Sequence, residues 1–337
     1  MQQIALTFSS RDNNDDSDLI AVAQAADRLG YHSFWTGESW GRDAFTVLTM
    51  LACHTDRIGL GTGIVTVYSR TPGLIAQSIA SLDCISGGRA ILGLGSSGRI
   101  VIEDWHGVKF DHPVSRTREY IEIVRMALAG GRVNYDGRFY QLQRFRMGVA
   151  PVQERVPIYI ASLGQRNLEL TGELADGWLP IWTHSEKLPQ IKEPLLAALT
   201  AAGRQPGDMT TAPQILSCAS DDEETVANAI RQARAHIAFY IGGMGRYYYD
   251  LFCRYGYQAE GDAVRRAWAE GDRGAAAGAI TDEMVHGITA IGTPEECRRK
   301  MDRFRANGVD MPLVAFPHGA ERDTMLGTLE ALAPGKA

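Results

Sequence analysis

The sequence predicts an α/β fold, a closed (β/α)8 TIM barrel, and three observations predict it. Strand-like and helix-like runs alternate along the chain, eight of each. The strand-like runs are apolar throughout instead of alternating, as parallel strands covered on both faces are. The length of 337 residues suits one such barrel, since these folds run from about 200 to about 400 residues. The alternative is an open doubly wound sheet. Against it, no GxGxxG turn leads into a helix with an acidic residue about 20 positions on. The chain 1–337 therefore reads as a single barrel domain with a mostly helical insertion at about 242–290, between the seventh and eighth strands.

In order, the first strand is Ile4 to Phe8, followed by a polar loop with Asn13, Asp15 and Asp16 and a helix from Ser17 to Leu29 that Gly30 stops. Ser33 to Thr36 is the second strand, Ala44 to His54 a helix, and Ile58 to Gly61 opens the third. Pro72 begins the next helix, where the first turn needs no amide donor, and Gly87 and Gly88 end it. Ala90 to Leu94 is the fourth strand. A loop from Gly95 to Asp111, a helix from Val114 to Ala129 and a hairpin from Val133 to Tyr140 turning at Asp136 and Gly137 come next.

Val156 to Ala161, Asp176 to Pro180 and Thr210 to Ser217 are strands five to seven, with helices Asn167 to Leu174 and Glu186 to Ala201 between them. After a helix from Asp221 to Tyr240 comes the insertion, rich in tyrosine from Tyr247 to Tyr257 and carrying Trp268. It reads equally as a cap on the barrel mouth or as an oligomer contact. Thr293, Pro294, Glu295 and Glu296 cap a helix, Pro312 to Phe316 is the eighth strand, and a last helix ends near Leu332.

Composition excludes several classes. Net charge is −6, and the longest basic cluster is Arg298, Arg299 and Lys300, so nucleic acid is not an expected partner. No apolar run reaches the ~18 residues of a membrane span, and the N-terminus lacks a basic segment before an apolar core; a cytoplasmic location is expected. Five cysteines show no metal-ligand spacing, so no metal is expected, and Cys53 and Cys84 read as inert core thiols.

In a barrel the site lies at the C-terminal strand ends. That end collects Phe8 to Arg11, Gly37 to Trp40, Gly63 to Arg70, Gly95 to Arg99, Ala161 to Arg166, Pro180 to His184 and Phe316 to His318. The inventory is glycine, hydroxyls, tryptophan and a few charges, with neither a nucleophile and its base nor a carboxylate pair. Such a surface suits a large planar cofactor that brings its own reactivity.

The runs FWTGESWGRDAF, RIGLGTGIVTVYSRTP, GGRAILGLGSSGRIVIEDWHG and IYIASLGQRNLELTGELADGWLP resemble the bacterial luciferase-like superfamily, and within it the coenzyme F420-dependent oxidoreductases related to methylenetetrahydromethanopterin reductase. The resemblance implies hydride transfer between C5 of the deazaflavin F420 and a small organic substrate, and a homodimer. It implies a non-proline cis peptide between Gly63 and Ile64 beneath the middle ring of the cofactor. It places Gly37 and the acid Glu38 near that ring, with Trp40 walling the substrate pocket or packing in the core. Ser96, Ser97 and Gly98, with Ala161, Ser162, Gly164, Gln165 and Arg166, match segments that hold the ribityl chain and phosphate; ordinary helix capping by Ser162 is the bland reading. Gly177 and Trp178 match a motif lining the same region.

Two departures narrow the substrate. Ser39 and Ser96 stand where sugar-phosphate dehydrogenases of the family carry histidine and glutamate, and Thr7 and Phe8 where the pterin reductases place a glutamate. An FMN-dependent monooxygenase of the same superfamily is one alternative, and a flavin- or deazaflavin-binding protein without turnover is another.

Overall fold

The computed structural model describes residues 2–8 and 15–335. Arg11 and Asn13, placed above at the first strand exit and in the loop after it, lie outside the described residues. The chain divides into two compact units, one of residues 8–179 and 194–210, the other of residues 1–7, 180–193 and 211–337.

In the first unit, Ser33–Thr36, Gly59–Thr62, Ala90–Gly95, Ile158–Ala161 and Gly177–Trp178 lie side by side in that order, all parallel. Several helices of this region and the one before it open or close on a local signal. Asp15 accepts from Ser17 N–H ahead of Asp16–Leu29, and Gly30 ends that helix at φ 84°. Asp43 caps Ala44–Ala52, and Thr71 with Pro72 opens Pro72–Ser86. Large and small side chains alternate on one sheet face. The rings of Trp35 and Tyr159 meet edge to face at 5.1 Å, and a Cβ on Gly61 would come within 2.4 Å of the Trp35 ring, one on Gly177 within 2.1 Å of Tyr159. Gly61 and Gly177 are thus the space these two aromatics occupy.

The hairpin is present but longer than expected: Val133–Asp136 pairs antiparallel with Gln141–Phe145, and Gly137 N–H donates to Tyr140 O across the turn. The segment after the fourth strand holds a short π-helical turn, Val101–Trp105, which no sequence period announces. Cys53 and Cys84 are exposed, not core thiols. On the helix Pro72–Ser86 the inward position belongs to Asp83, fully buried because its carboxylate accepts from the N–H groups of Ala90, Val152 and Gln153. Cys84 is turned outward as a result.

In the second unit, Ala5–Phe8, Leu313–Ala315 and Gln214–Ala219 are parallel neighbours, and Ile181 bridges to Gln214. Thr289–Gly292 is an additional strand, parallel to the outer half of Gln214–Ala219; its first two residues end the segment read as insertion. The insertion itself is helical: Arg246–Arg254, Gln258–Ala269, Arg273–Gly278 and Asp282–Ile288. Its tyrosines are partly structural. Tyr255 O–H donates to Trp182 O (3.1 Å), and Tyr257 O–H bridges the His184 ring (3.1 Å) to Glu283 (3.1 Å). Glu186 N–H donates to His184 Nδ1, so a neutral ring fits, and burial holds the His184 pKa below its ordinary value. The helix Pro294–Ala306 opens on the expected capping box of Thr293 and Glu296. Among the described residues, no helix is long and apolar enough to cross a membrane.

Candidate active site at the strand exits

The third strand does not run straight to its exit. Gly61 lies opposite Ile91, yet Val65 lies opposite Leu94, so four steps on one strand match three on its neighbour. One residue is extra, and it forms a bulge at Thr62 to Ile64. Such bulges bend a strand and re-aim its side chains. Thr62 fills the break in the ladder with its hydroxyl, which donates to Gly93 O and accepts from Gly93 N–H, both at 2.8 Å. The Gly63–Ile64 peptide within the bulge is cis, as the resemblance implied.

Neighbouring strands hold the bulge closely. Gly63 N–H donates to Thr36 O (2.7 Å) and Glu38 N–H to Ile64 O (3.2 Å). A Cβ on Gly37 would come within 2.7 Å of Gly63 O, one on Gly93 within 1.9 Å of Thr62 O, and one on Gly95 within 2.6 Å of the Ile64 side chain. Backbone fills the Cβ site at Gly37 and Gly93, which requires glycine there, while at Gly95 the end of the Ile64 side chain takes that space.

Glu38 is not a free acid. Its carboxylate accepts from Arg70 (2.8 Å) through one oxygen and from Ala44 N–H (3.3 Å) through the other, and both Glu38 and Arg70 keep only about a sixth of their side-chain surface exposed, 15% and 16%. Arg70 also pairs with Asp43. Burial works against the Arg70 charge, but the bond to Glu38 and the charges of Glu38 and Asp43 outweigh it and raise its pKa. Trp40, two residues beyond Glu38, is 41% exposed, which excludes the core-packing reading.

The expected ribityl and phosphate segments lie at the next exits of the same unit. Ser97 sits in the left-handed region at φ 56°, between half-buried Ser96 and Gly98. Gly98 and Gly164 each face open space where a Cβ would stand. Ser162 does not cap the following helix. Its hydroxyl bonds to Thr171 (2.8 Å) and its carbonyl accepts from Trp178 Nε1 (2.9 Å). Gly164 is the N-cap of Gln165–Leu174 and offers no side-chain oxygen to the first amides. Gln165 and Arg166 are exposed, with Gln165 turned to Glu169 (3.1 Å). Ala161 is half-buried opposite Gly95, while Gly177 and Trp178 are buried behind it. Sequence reasoning missed Arg70 as a partner of Glu38, Thr62 as the filler of the ladder, and Asn167, whose buried Oδ1 has no hydrogen-bond partner among the described residues.

The family model for luciferase-like monooxygenases matches residues 5–311. The chain belongs to the luciferase-like monooxygenase family. As a member of it, the protein is an enzyme, and the resemblance carried by the four motifs holds. A Mycobacterium tuberculosis protein provisionally named a coenzyme F420-dependent oxidoreductase is 33% identical over 318 residues, 88% of this chain and 89% of that one. The 5,10-methylenetetrahydromethanopterin reductase of Methanolobus tindarius is 33% identical over 304 residues, 89% and 90% of the two chains. The solved structure of the coenzyme F420-dependent tetrahydromethanopterin reductase from Methanopyrus kandleri superposes with a TM-score of 0.85 at 24% identity, over 98% of each chain. That likeness shows the fold: this luciferase-like chain is the (β/α)8 barrel with a helical insertion that its sequence predicts.

Proposed function

We propose that this enzyme is an F420-dependent oxidoreductase acting on a small organic substrate, as a cytoplasmic homodimer. The observation that carries the reading is the one-residue bulge at Thr62 to Ile64, fitted closely by Gly37, Gly93 and Gly95, at the strand exit where the resemblance implies a ledge for a flat ring. The F420-dependent relatives support it. The residues present fit such a group: Gly98 and Gly164 leave open the space a Cβ would fill. When bound, the deazaflavin supplies a C5 that gives or takes a hydride.

The chain's own residues bind and orient. Ile64 and the Gly63 peptide form the ledge. Ser96, Ser97, Gly98, Ala161 and Ser162 allow close backbone approach along a polyhydroxyl chain. The first amides of the helix that Gly164 caps, at Gln165 and Arg166, favour an anionic group. Glu38, fixed by two bonds, offers a defined acceptor beside the ledge, Trp40 a flat apolar wall, and Gly177 and Trp178 buttress Ser162 from behind.

The test is a titration of the purified protein with F420 and, separately, with FMN, followed by fluorescence quenching. Tight F420 binding with weak FMN binding is the expected result. Preference for FMN would move the enzyme to the oxygen-using reading that the family's monooxygenase description favours, and binding of neither would remove the ledge as a cofactor platform.

A further inference from the structure

We propose that Arg70 is a positioning residue of this site, acting on the bound cofactor through Glu38; the proposal rests on the reading that the strand exits hold a deazaflavin. One guanidinium grips both ends of the loop of residues 38–43. Its Nη1 donates to Glu38 Oε2 (2.8 Å), and its Nη2 to Asp43 Oδ2. Each acid turns its other oxygen to the start of the helix Ala44–Ala52. Glu38 Oε1 accepts from Ala44 N–H (3.3 Å), and Asp43 Oδ1 from the N–H and hydroxyl of Thr46, both at 2.7 Å. The arrangement is a closed bracket of guanidinium, two carboxylates and a helix start, with Trp40 in the loop it encloses.

Arg70 is itself held. Tyr120 O–H donates to Arg70 O (3.2 Å), the next residue, Thr71, caps the following helix, and the Phe45 ring lies 5.3 Å from the guanidinium carbon. Exposed ion pairs contribute little because water and side-chain entropy compete. This pair is largely shielded, and it joins the exits of the second and third strands, whose contact also holds the bulge. Without Arg70, Glu38 and Asp43 would be two neighbouring like charges held only by the groups at the helix start, and the loop carrying Trp40 would lose its cross-brace. Lysine supplies the charge but not the fork that reaches two acids at once.

The experiment uses the full chain as wild type, Arg70→Gln, Arg70→Lys, Glu38→Gln and the Arg70→Gln/Glu38→Gln pair. Two readouts are taken: F420 affinity by fluorescence quenching, and hydrogen exchange at the Ala44 and Thr46 amides in the protein without cofactor. Arg70→Gln is expected to weaken F420 binding about tenfold and to speed exchange at both amides, with Arg70→Lys recovering part of each. The double variant is expected to bind no more weakly than Glu38→Gln alone, because residues acting through one contact do not add. Additive losses, or unchanged exchange with normal F420 binding, would overturn the positioning role while leaving the cofactor reading intact. Failure of the wild type to bind F420 would overturn both the cofactor reading and Arg70's action on it. Should Arg70→Gln not fold, Arg70→Lys carries the same comparison.

Discussion

At the N-terminal ends of the strands in the unit of residues 8–179, three aspartates take backbone amides. Asp27 accepts from Asp56, Arg57 and Ile58 N–H, Asp83 from Ala90, Val152 and Gln153 N–H, and Asp176 from Ile158 N–H. Arg89 complements them, donating to the carbonyls of Ala52, Thr55 and Ile58 below the helix Ala44–Ala52. At the C-terminal ends the acids hold a loop instead: Glu38 and Asp43 meet Arg70, and the ladder is broken by a bulge. One end turns its carboxylates to the backbone amides at the strand starts. The other end uses its carboxylates on a guanidinium and a loop, beside exit turns at Gly98 and Gly164. The division of labour in barrels, stability at one end and chemistry at the other, appears here as two uses of the same carboxylate.

The largest effect should come from the tightest of the glycines around the bulge. Gly93→Ala puts a Cβ 1.9 Å from Thr62 O, and overpacking against backbone should cost about 3 kcal/mol or more. Thermal melting would register it, and a wild-type melt would mean that the bulge yields. Asp83→Ala strands three backbone amides and the Gln153 side chain, for an expected loss of about 2 to 4 kcal/mol in urea unfolding. F420 affinity of the folded protein should stay as it was; a parallel loss of affinity would erase the contrast between the two ends.

Asp176→Asn should cost roughly 1 to 2 kcal/mol at neutral pH. Burial opposes the Asp176 charge, but Arg125, the Ile158 amide and Arg155 outweigh it and hold its pKa below the ordinary value. A carboxyl whose pKa is lowered by folding adds stability above its unfolded value of ~3.9 and loses it as pH falls through the folded one. The gap between wild type and variant should therefore narrow below about pH 4 in melts taken across pH. A constant gap would mean that packing, not charge, is at stake. Smallest of all, Gly98→Ala should shift stability by less than about 0.5 kcal/mol, since its Cβ meets nothing, while weakening F420 binding in the titration.

Most of the strands could be read from composition because they are apolar runs between glycine or polar breaks; the weaker run read as one seventh strand, Thr210 to Ser217, is two, Thr210–Thr211 and Gln214–Ala219. The strand Thr289–Gly292 could not, since TAIG is short and joined directly to a helix. Glu38 stood out as an acid in a tight loop, but its partner lies 32 positions away, and only the adjacency of second and third strands brings Arg70 to it. That signal was available: a base after one strand and an acid after its neighbour. The bulge at the end of the third strand was implied by the resemblance alone; the residues themselves gave no sign of it, because Thr62 differs from other strand threonines only in what its hydroxyl replaces. The aspartates at the opposite end were hidden for another reason. A buried helix aspartate and an exposed one look alike until the amides it accepts are in place.

The extra residue in the third strand can be put in genetic terms. Before it, Gly61 shares a face with Ile91; after it, Thr66 shares that face with Gly95, so odd positions give way to even ones. The strand carries a phase slip worth a single codon. Removing that codon would return the ladder to regular register without altering any residue that packs below it, and the ledge would be gone. By this count a plain strand and a bulged one stand one in-frame insertion apart, a far shorter mutational distance than rebuilding a strand exit side chain by side chain.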